Sequence, residues 1–249
     1  MVISVERLCR AYGEVTAVED LTFAVGPGEV VGLIGPNGAG KTTTLRSLAG
    51  ILRPSSGRVL ISGHDMAEAP LAAKRQLAFM PDEPHLFEYM TVEEHLRLVG
   101  RLYDVPDIDA RSRPLLEELE LLGRERSLPG ELSRGMRQKV VIACGLVRAP
   151  QVLLFDEPLT GLDPIGIRRM RDTITRRARD GAAVLLSSHL LPLVQEICTR
   201  VIIMDKGRKI GDGSVEELAQ RANLAEAGST LEQIFFRVMG HDRPADGSR

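Results

Sequence analysis

The chain has 249 residues, 43% of them hydrophobic and 27% charged. That is enough apolar material for one well-buried core with a lobe inserted into it, and it excludes a disordered chain. A formal net charge of −2 gives no electrostatic reason to expect a nucleic-acid partner. No stretch approaches the roughly 20 apolar residues of a membrane-spanning helix. Cys9, Cys144 and Cys198 lack metal-ligand spacing and are expected to be reduced packing residues of a cytosolic protein. Glu6 and Arg7 place charge where a secretory leader would be apolar.

In chain order, Val2–Val5, Leu21–Val25 and Val30–Ile34 read as strands, with a Gly26-Pro27-Gly28 turn between the last two. A helix is predicted over Lys41–Ala49, then short strands over Arg58–Ser62 and Leu77–Met80. Thr91-Val92-Glu93-Glu94 has the form of a capping box and opens a helix reaching about Tyr103. Amphipathic helices follow over about Asp107–Leu122 and Arg134–Val147, so residues 84–150 read as an all-helical lobe inserted into an α/β core. Val152–Phe155, Ala182–Ser187 and Val201–Met204 are strands, and Asp163-Pro164 opens a helix with a carboxylate cap and a first-turn proline. The alternation implies a mostly parallel sheet with helices on both faces. Arg168, Arg169, Arg171, Arg176, Arg177 and Arg179 are expected on a solvated helix face, and Gly240–Arg249 is expected to fray.

Gly35-Pro36-Asn37-Gly38-Ala39-Gly40-Lys41-Thr42 matches G-x-x-x-x-G-K-[ST], between an apolar strand and a helical pattern, the setting this phosphate loop requires. Its glycines let successive N–H groups face the phosphates, and the helix N-terminus adds partial positive charge. Lys41 is one of few lysines in an arginine-rich chain. It is assigned to the β- and γ-phosphates, and the Thr42 hydroxyl to Mg²⁺. Asn37, Gly38, Ala39, Gly40 and Thr43 complete the ATP cradle. Val152–Phe155 then delivers Asp156 and Glu157 to the C-terminal edge of the sheet, where ligands of such sheets sit. Asp156 is expected on the metal, and Glu157 to polarise water in line with the γ-phosphate.

Leu132-Ser133-Arg134-Gly135-Met136 resembles the signature motif of ATP-binding cassette (ABC) proteins, in the L-S-x-G-M form of drug- and antibiotic-exporter ATPases. The other marks of that family stand in order. Tyr12-Gly13 matches the aromatic that stacks on adenine, with Val18 nearby. Pro158-Leu159-Thr160-Gly161-Leu162-Asp163 matches the loop joining two subunits, and Ser187-Ser188-His189 matches the switch histidine. His64, His85, His95 and His241 keep ordinary structural readings. Three positions in two motifs depart from the family pattern. Asp82 stands where a glutamine is usual, and Arg134 and Met136 stand where many members have Gly and Gln.

The resemblance implies a P-loop NTPase core with a mostly parallel sheet, an N-terminal antiparallel β subdomain and an inserted helical subdomain. The cassette would span residues 1–221, with a short C-terminal helix and a flexible tail in 222–249. It further implies a motor subunit that hydrolyses MgATP with Glu157, His189 and Lys41, and holds Mg²⁺ through Thr42, Asp156 and Asp82. Two copies would pair head to tail, with Ser133, Gly135 and Asp163 at the junction. The resemblance also implies an integral membrane permease as partner, docked near Leu86, Phe87, Tyr89 and Met90 at the cytoplasmic face of the membrane. Export is favoured through Leu132–Met136 and the tail Leu231–Phe235. The rival expectation is a soluble cassette ATPase of translation, DNA repair or regulation. Translation factors of this type usually carry two cassettes and chromosome proteins a long coiled coil, and this sequence has neither feature.

Overall fold

The computed structural model describes residues 1–224 and 229–240. Two sheets organise them. The first is four-stranded and antiparallel, in the order β2-β1-β4-β5, from β1 (Ile3–Tyr12), β2 (Val15–Val25), β4 (Ser56–Ile61) and β5 (His64–Asp65). The second is built from β3 (Val30–Ile34), β6 (Leu77–Met80), β7 (Val152–Asp156), β8 (Ala183–Ser187), β9 (Arg200–Asp205) and β10 (Arg208–Gly213), in the order β10-β9-β3-β8-β7-β6. All its neighbours run parallel except the antiparallel β9–β10 pair at one edge.

Strands β3, β7 and β8 are buried along their whole length. Such unbroken apolar runs fit a parallel sheet covered on both faces. Their side chains alternate between two interiors. Val30, Ile34, Leu153, Phe155, Val184 and Leu186 join a core on one face. Val31, Leu33, Val152, Leu154, Ala183 and Leu185 join a second core with the antiparallel sheet and α1 (Lys41–Leu48). A one-residue slip in any of these strands would exchange its two faces.

Between β6 and its neighbour β7 lie α3 (Val92–Leu102), α4 (Ile108–Glu118), a short 3₁₀ turn (Pro129–Glu131) and α5 (Arg134–Leu146). The Thr91 capping box forms: Thr91 Oγ1 accepts from the Glu94 N–H, and the Glu94 carboxylate accepts from the Thr91 N–H. The remaining helices are α2 (Pro70–Gln76), α6 (Pro164–Arg179), α7 (Leu191–Ile197), α8 (Val215–Arg221) and α9 (Leu231–Val238). As predicted, Asp163 caps α6, accepting from the Gly166 N–H at 2.6 Å.

The arginines of α6 lie on an exposed to half-exposed face, as expected, and several of them form ion pairs there. Arg176 and Arg177 grip the Glu118 carboxylate at the end of α4, which also accepts from Thr173 Oγ1 at 2.6 Å. Arg169 pairs with Glu120 and Arg171 with Glu196. The helix thus ties its neighbours to the core through ion pairs. Cys144 and Cys198 are packing residues, and burial pushes both thiols up to about 12, which leaves them unreactive near neutrality. Among the described residues no helix is long and apolar enough to cross a membrane. Of the expected fraying tail, Gly240 lies in a turn, while His241 and the rest of the tail lie outside the described residues.

Phe155 is fully buried next to Asp156. Phe155→Ala is expected to destabilise the chain by about 3–5 kcal/mol, measured by urea unfolding. A loss below about 1 kcal/mol would mean that the strand does not depend on this side chain.

Candidate nucleotide site

The loop from Gly35 to Gly40 joins β3 to α1, and its path depends on glycine. Gly40 has φ +100°, and a Cβ there would lie 2.4 Å from the Ala17 carbonyl oxygen of β2. Gly38, at φ +81°, has nothing within 4 Å of a Cβ position, so its backbone borders an open cradle. Ala39 is buried, with its N–H on the Pro36 carbonyl and its own carbonyl accepting from the Gly207 N–H. Asn37 is exposed, and Thr42 and Thr43 open α1.

The Lys41 ammonium donates to the Gly35 and Pro36 carbonyls at 2.8 and 3.2 Å. Burial pushes its pKa below the ordinary lysine range, while Glu157 and Asp156 push it back up. Thr42 Oγ1 donates to Asp156 Oδ1 at 3.1 Å, and Ser187 Oγ donates to the same oxygen at 2.7 Å. β7 and β8 impose this meeting, because Asp156 and Ser187 are register partners.

Glu157 follows in the left-handed region, with φ +51°, a conformation that costs a non-glycine residue energy and persists only when its surroundings enforce it. Its N–H donates to Ser187 Oγ at 3.0 Å. Its Oε2 accepts from the His189 N–H at 3.3 Å and lies 2.8 Å from His189 Nδ1. A carboxylate can only accept, so Nδ1 carries the proton of this hydrogen bond. Lys41, Thr42, Asp156, Glu157 and His189 are therefore brought into one cluster. Ser187, quoted in the sequence only as part of the histidine motif, is the hydroxyl that links its two carboxylate residues. A serine at the end of a buried strand was the available signal.

Tyr12 is half exposed at the end of β1, with the Arg10 guanidinium 4.6 Å from its ring centroid. Val18 is fully buried and lies 3.3 Å from the Cβ position of Gly40, against the phosphate loop. Ser133 is exposed and caps α5, accepting from the Met136 N–H at 3.2 Å. A Cβ on Gly135 would lie 3.3 Å from the Gly161 carbonyl. The Asp82 carboxylate is ion-paired with Arg134 at 3.3 Å.

The donor chemistry fits a magnesium nucleotide. Thr42 and Asp156 offer hard oxygen ligands. Among the described residues no group of three or more His, Cys, Asp or Glu forms an all-protein cage. An ion held by one or two protein oxygens together with substrate phosphates needs no such cage.

Residues 18–160 match the ABC transporter family. The chain is 32% identical to the ABC-type transporter ATP-binding protein EcsA of Bacillus subtilis, over 96% of this chain and 97% of that protein. It is 36% identical to the doxorubicin resistance ATP-binding protein DrrA of Mycobacterium tuberculosis, over 95% of this chain and 71% of that protein. A solved ATP-binding subunit of an ABC transporter superposes with a TM-score of 0.91 at 35% identity, covering 96% of this chain and all of that one.

Gly40→Ala tests the cradle, because the added methyl meets backbone in a conformation unfavourable to any Cβ. Affinity for a fluorescent ATP analogue is expected to fall at least about tenfold, corresponding to about 1.4 kcal/mol. Unchanged affinity would mean that the loop reaches phosphate by another path.

Proposed function

The chain belongs to the ABC transporter family of ATP-binding, ATP-hydrolysing subunits, and from that premise we propose that it is the motor of an exporter, working as a head-to-tail pair beneath a separate membrane protein. The observation that carries this reading is the separation of two groups. Thr42, Asp156, Glu157 and His189 are linked by hydrogen bonds through Ser187, with the Lys41 charge acting on both carboxylates, while Ser133 caps a different helix and is exposed.

In this reading Tyr12 stacks on adenine, and the N–H groups of residues 37–43 hold the phosphates at the N-terminus of α1. Lys41 exchanges its two loop carbonyls for β- and γ-phosphate oxygens. Thr42 and Asp156 hold Mg²⁺, which when bound neutralises phosphate charge. Glu157 accepts the proton of the attacking water, and His189 holds the Glu157 carboxylate in line. Ser133 and Gly135 of a second copy face the γ-phosphate, with Asp163 and its loop at the junction. ATP closes the pair and hydrolysis reopens it.

The membrane partner docks at an apolar groove of about 390 Å³ lined by Leu86, Phe87, Val99, Tyr103 and Val141. Phe87 and Tyr89 are 63% and 90% exposed beside it, more than packing alone requires. Beneath them His95 is buried, accepts from the Phe87 N–H through Nε2 at 2.9 Å, and stacks on the Phe87 ring. The resistance named in the DrrA relative supports export, and docking of this kind places the chain peripherally on the cytoplasmic face of the membrane.

Glu157→Gln is expected to lower turnover by roughly 10²–10⁴ while preserving ATP binding, with an ATP-bound dimer accumulating on size exclusion. Turnover near wild type removes Glu157 from the catalytic role. The shared site is tested by mixing Lys41→Ala with Ser133→Arg chains, each inactive alone. Recovery of roughly a quarter of wild-type activity is expected, as random pairing of two composite sites would give. No recovery at concentrations where mixed dimers form would refute sharing.

A further inference from the structure

Two of the positions that depart from the family pattern, Asp82 and Arg134, face each other. Arg134 Nη2 donates to Asp82 Oδ1 at 3.3 Å. One turn further along α5, Gln138 is 3% exposed and donates through Nε2 to the Pro81 carbonyl at 3.0 Å. Residues four apart share a helix face, so α5 grips two consecutive residues of the segment after β6. The Gln138 Oε1 is buried with no hydrogen-bond partner among the described residues, so this amide is held at the junction by its single bond to Pro81. Arg134 also lies over the loop after β7, since a Cβ on Gly161 would stand 3.6 Å from its Nε.

We propose that Asp82 and Arg134 are one matched pair, and that Arg134 is a positioning residue which ties residues 81–84 to the helix start carrying Ser133 and Gly135. The inference rests on the shared-site reading above for its catalytic consequence, and on geometry alone for the tie itself. Asp82 and Arg134 are 46% and 54% exposed, and an isolated pair at such a surface contributes little. Here the buried Gln138 bond already fixes the distance between helix and loop, so the pair forms with little further ordering. Each residue also compensates the other. Without Arg134, Asp82 leaves a bare carboxylate on a loop leading toward the phosphates. Without Asp82, Arg134 leaves a bare cation next to Ser133. A movement of the segment at Leu86 and Phe87 would then reach Ser133 through the side chains of α5, within a single chain.

The test is a double-mutant cycle on ATP turnover by the full chain, with Asp82→Gln, Arg134→Gly and the double variant. Contacting residues show strong non-additivity. The double variant is expected to retain at least about five times the activity that the product of the two single losses predicts. Activity equal to that product overturns the pairing. Arg134→Lys keeps the charge and one donor, and is expected to lose less than Arg134→Gly. An equal loss counts against a charge-based tie. Glycine at the start of α5 can destabilise the helix, so Arg134→Ala is measured in parallel by hydrogen exchange without nucleotide. Exchange at amides 82–90 is expected to quicken about fivefold, and unchanged exchange overturns the tie. A wild-type chain without turnover defeats the shared-site reading, while the exchange result still decides the pair.

Discussion

A buried carboxylate sets the terms for this structure. Asp156 is 3% exposed at the end of a fully buried strand, where an unpaired charge would be very costly. Two hydroxyls and the field of Lys41 offset that cost, drawn from two parts of the chain. Ser187 arrives through the register of β8 on β7, and Lys41 and Thr42 together through the first turn of α1, placed by the phosphate loop ahead of it. The loop can deliver them only because β3 lies next to β8. The strand order and the chemistry of the site are therefore one requirement.

That coupling explains which parts of the molecule were legible in the sequence. β3 and β6 have the predicted bounds, because an apolar run buried on both faces leaves no choice of register. The caps at Thr91 and Asp163 were legible for a local reason, since each side chain closes onto an amide three residues on. The phosphate loop and the Asp156-Glu157 pair were legible because their spacing is itself the chemistry.

What the sequence hid depends on partners far along the chain. β1 and β2 run much longer than their apolar segments, because register shifts along their pairing admit Glu6, Arg7 and Arg10 into a paired strand. β10 is an edge strand of mostly polar residues, held by pairing with β9 and without an apolar pattern of its own. Glu118 gathers Arg176, Arg177 and Thr173 from a helix more than fifty residues away, so these partners could not be read from either helix alone.

The hold of Lys41 on its own loop sets a threshold for what the protein notices. Two backbone carbonyls already occupy two of the three ammonium donors, so an incoming anion competes with internal ligands tethered at high effective concentration. A single phosphate reaches few of these groups, whereas a chain of linked phosphates meets Lys41 and several amides of the loop together. The loop thereby weighs the length of an anion as well as its charge.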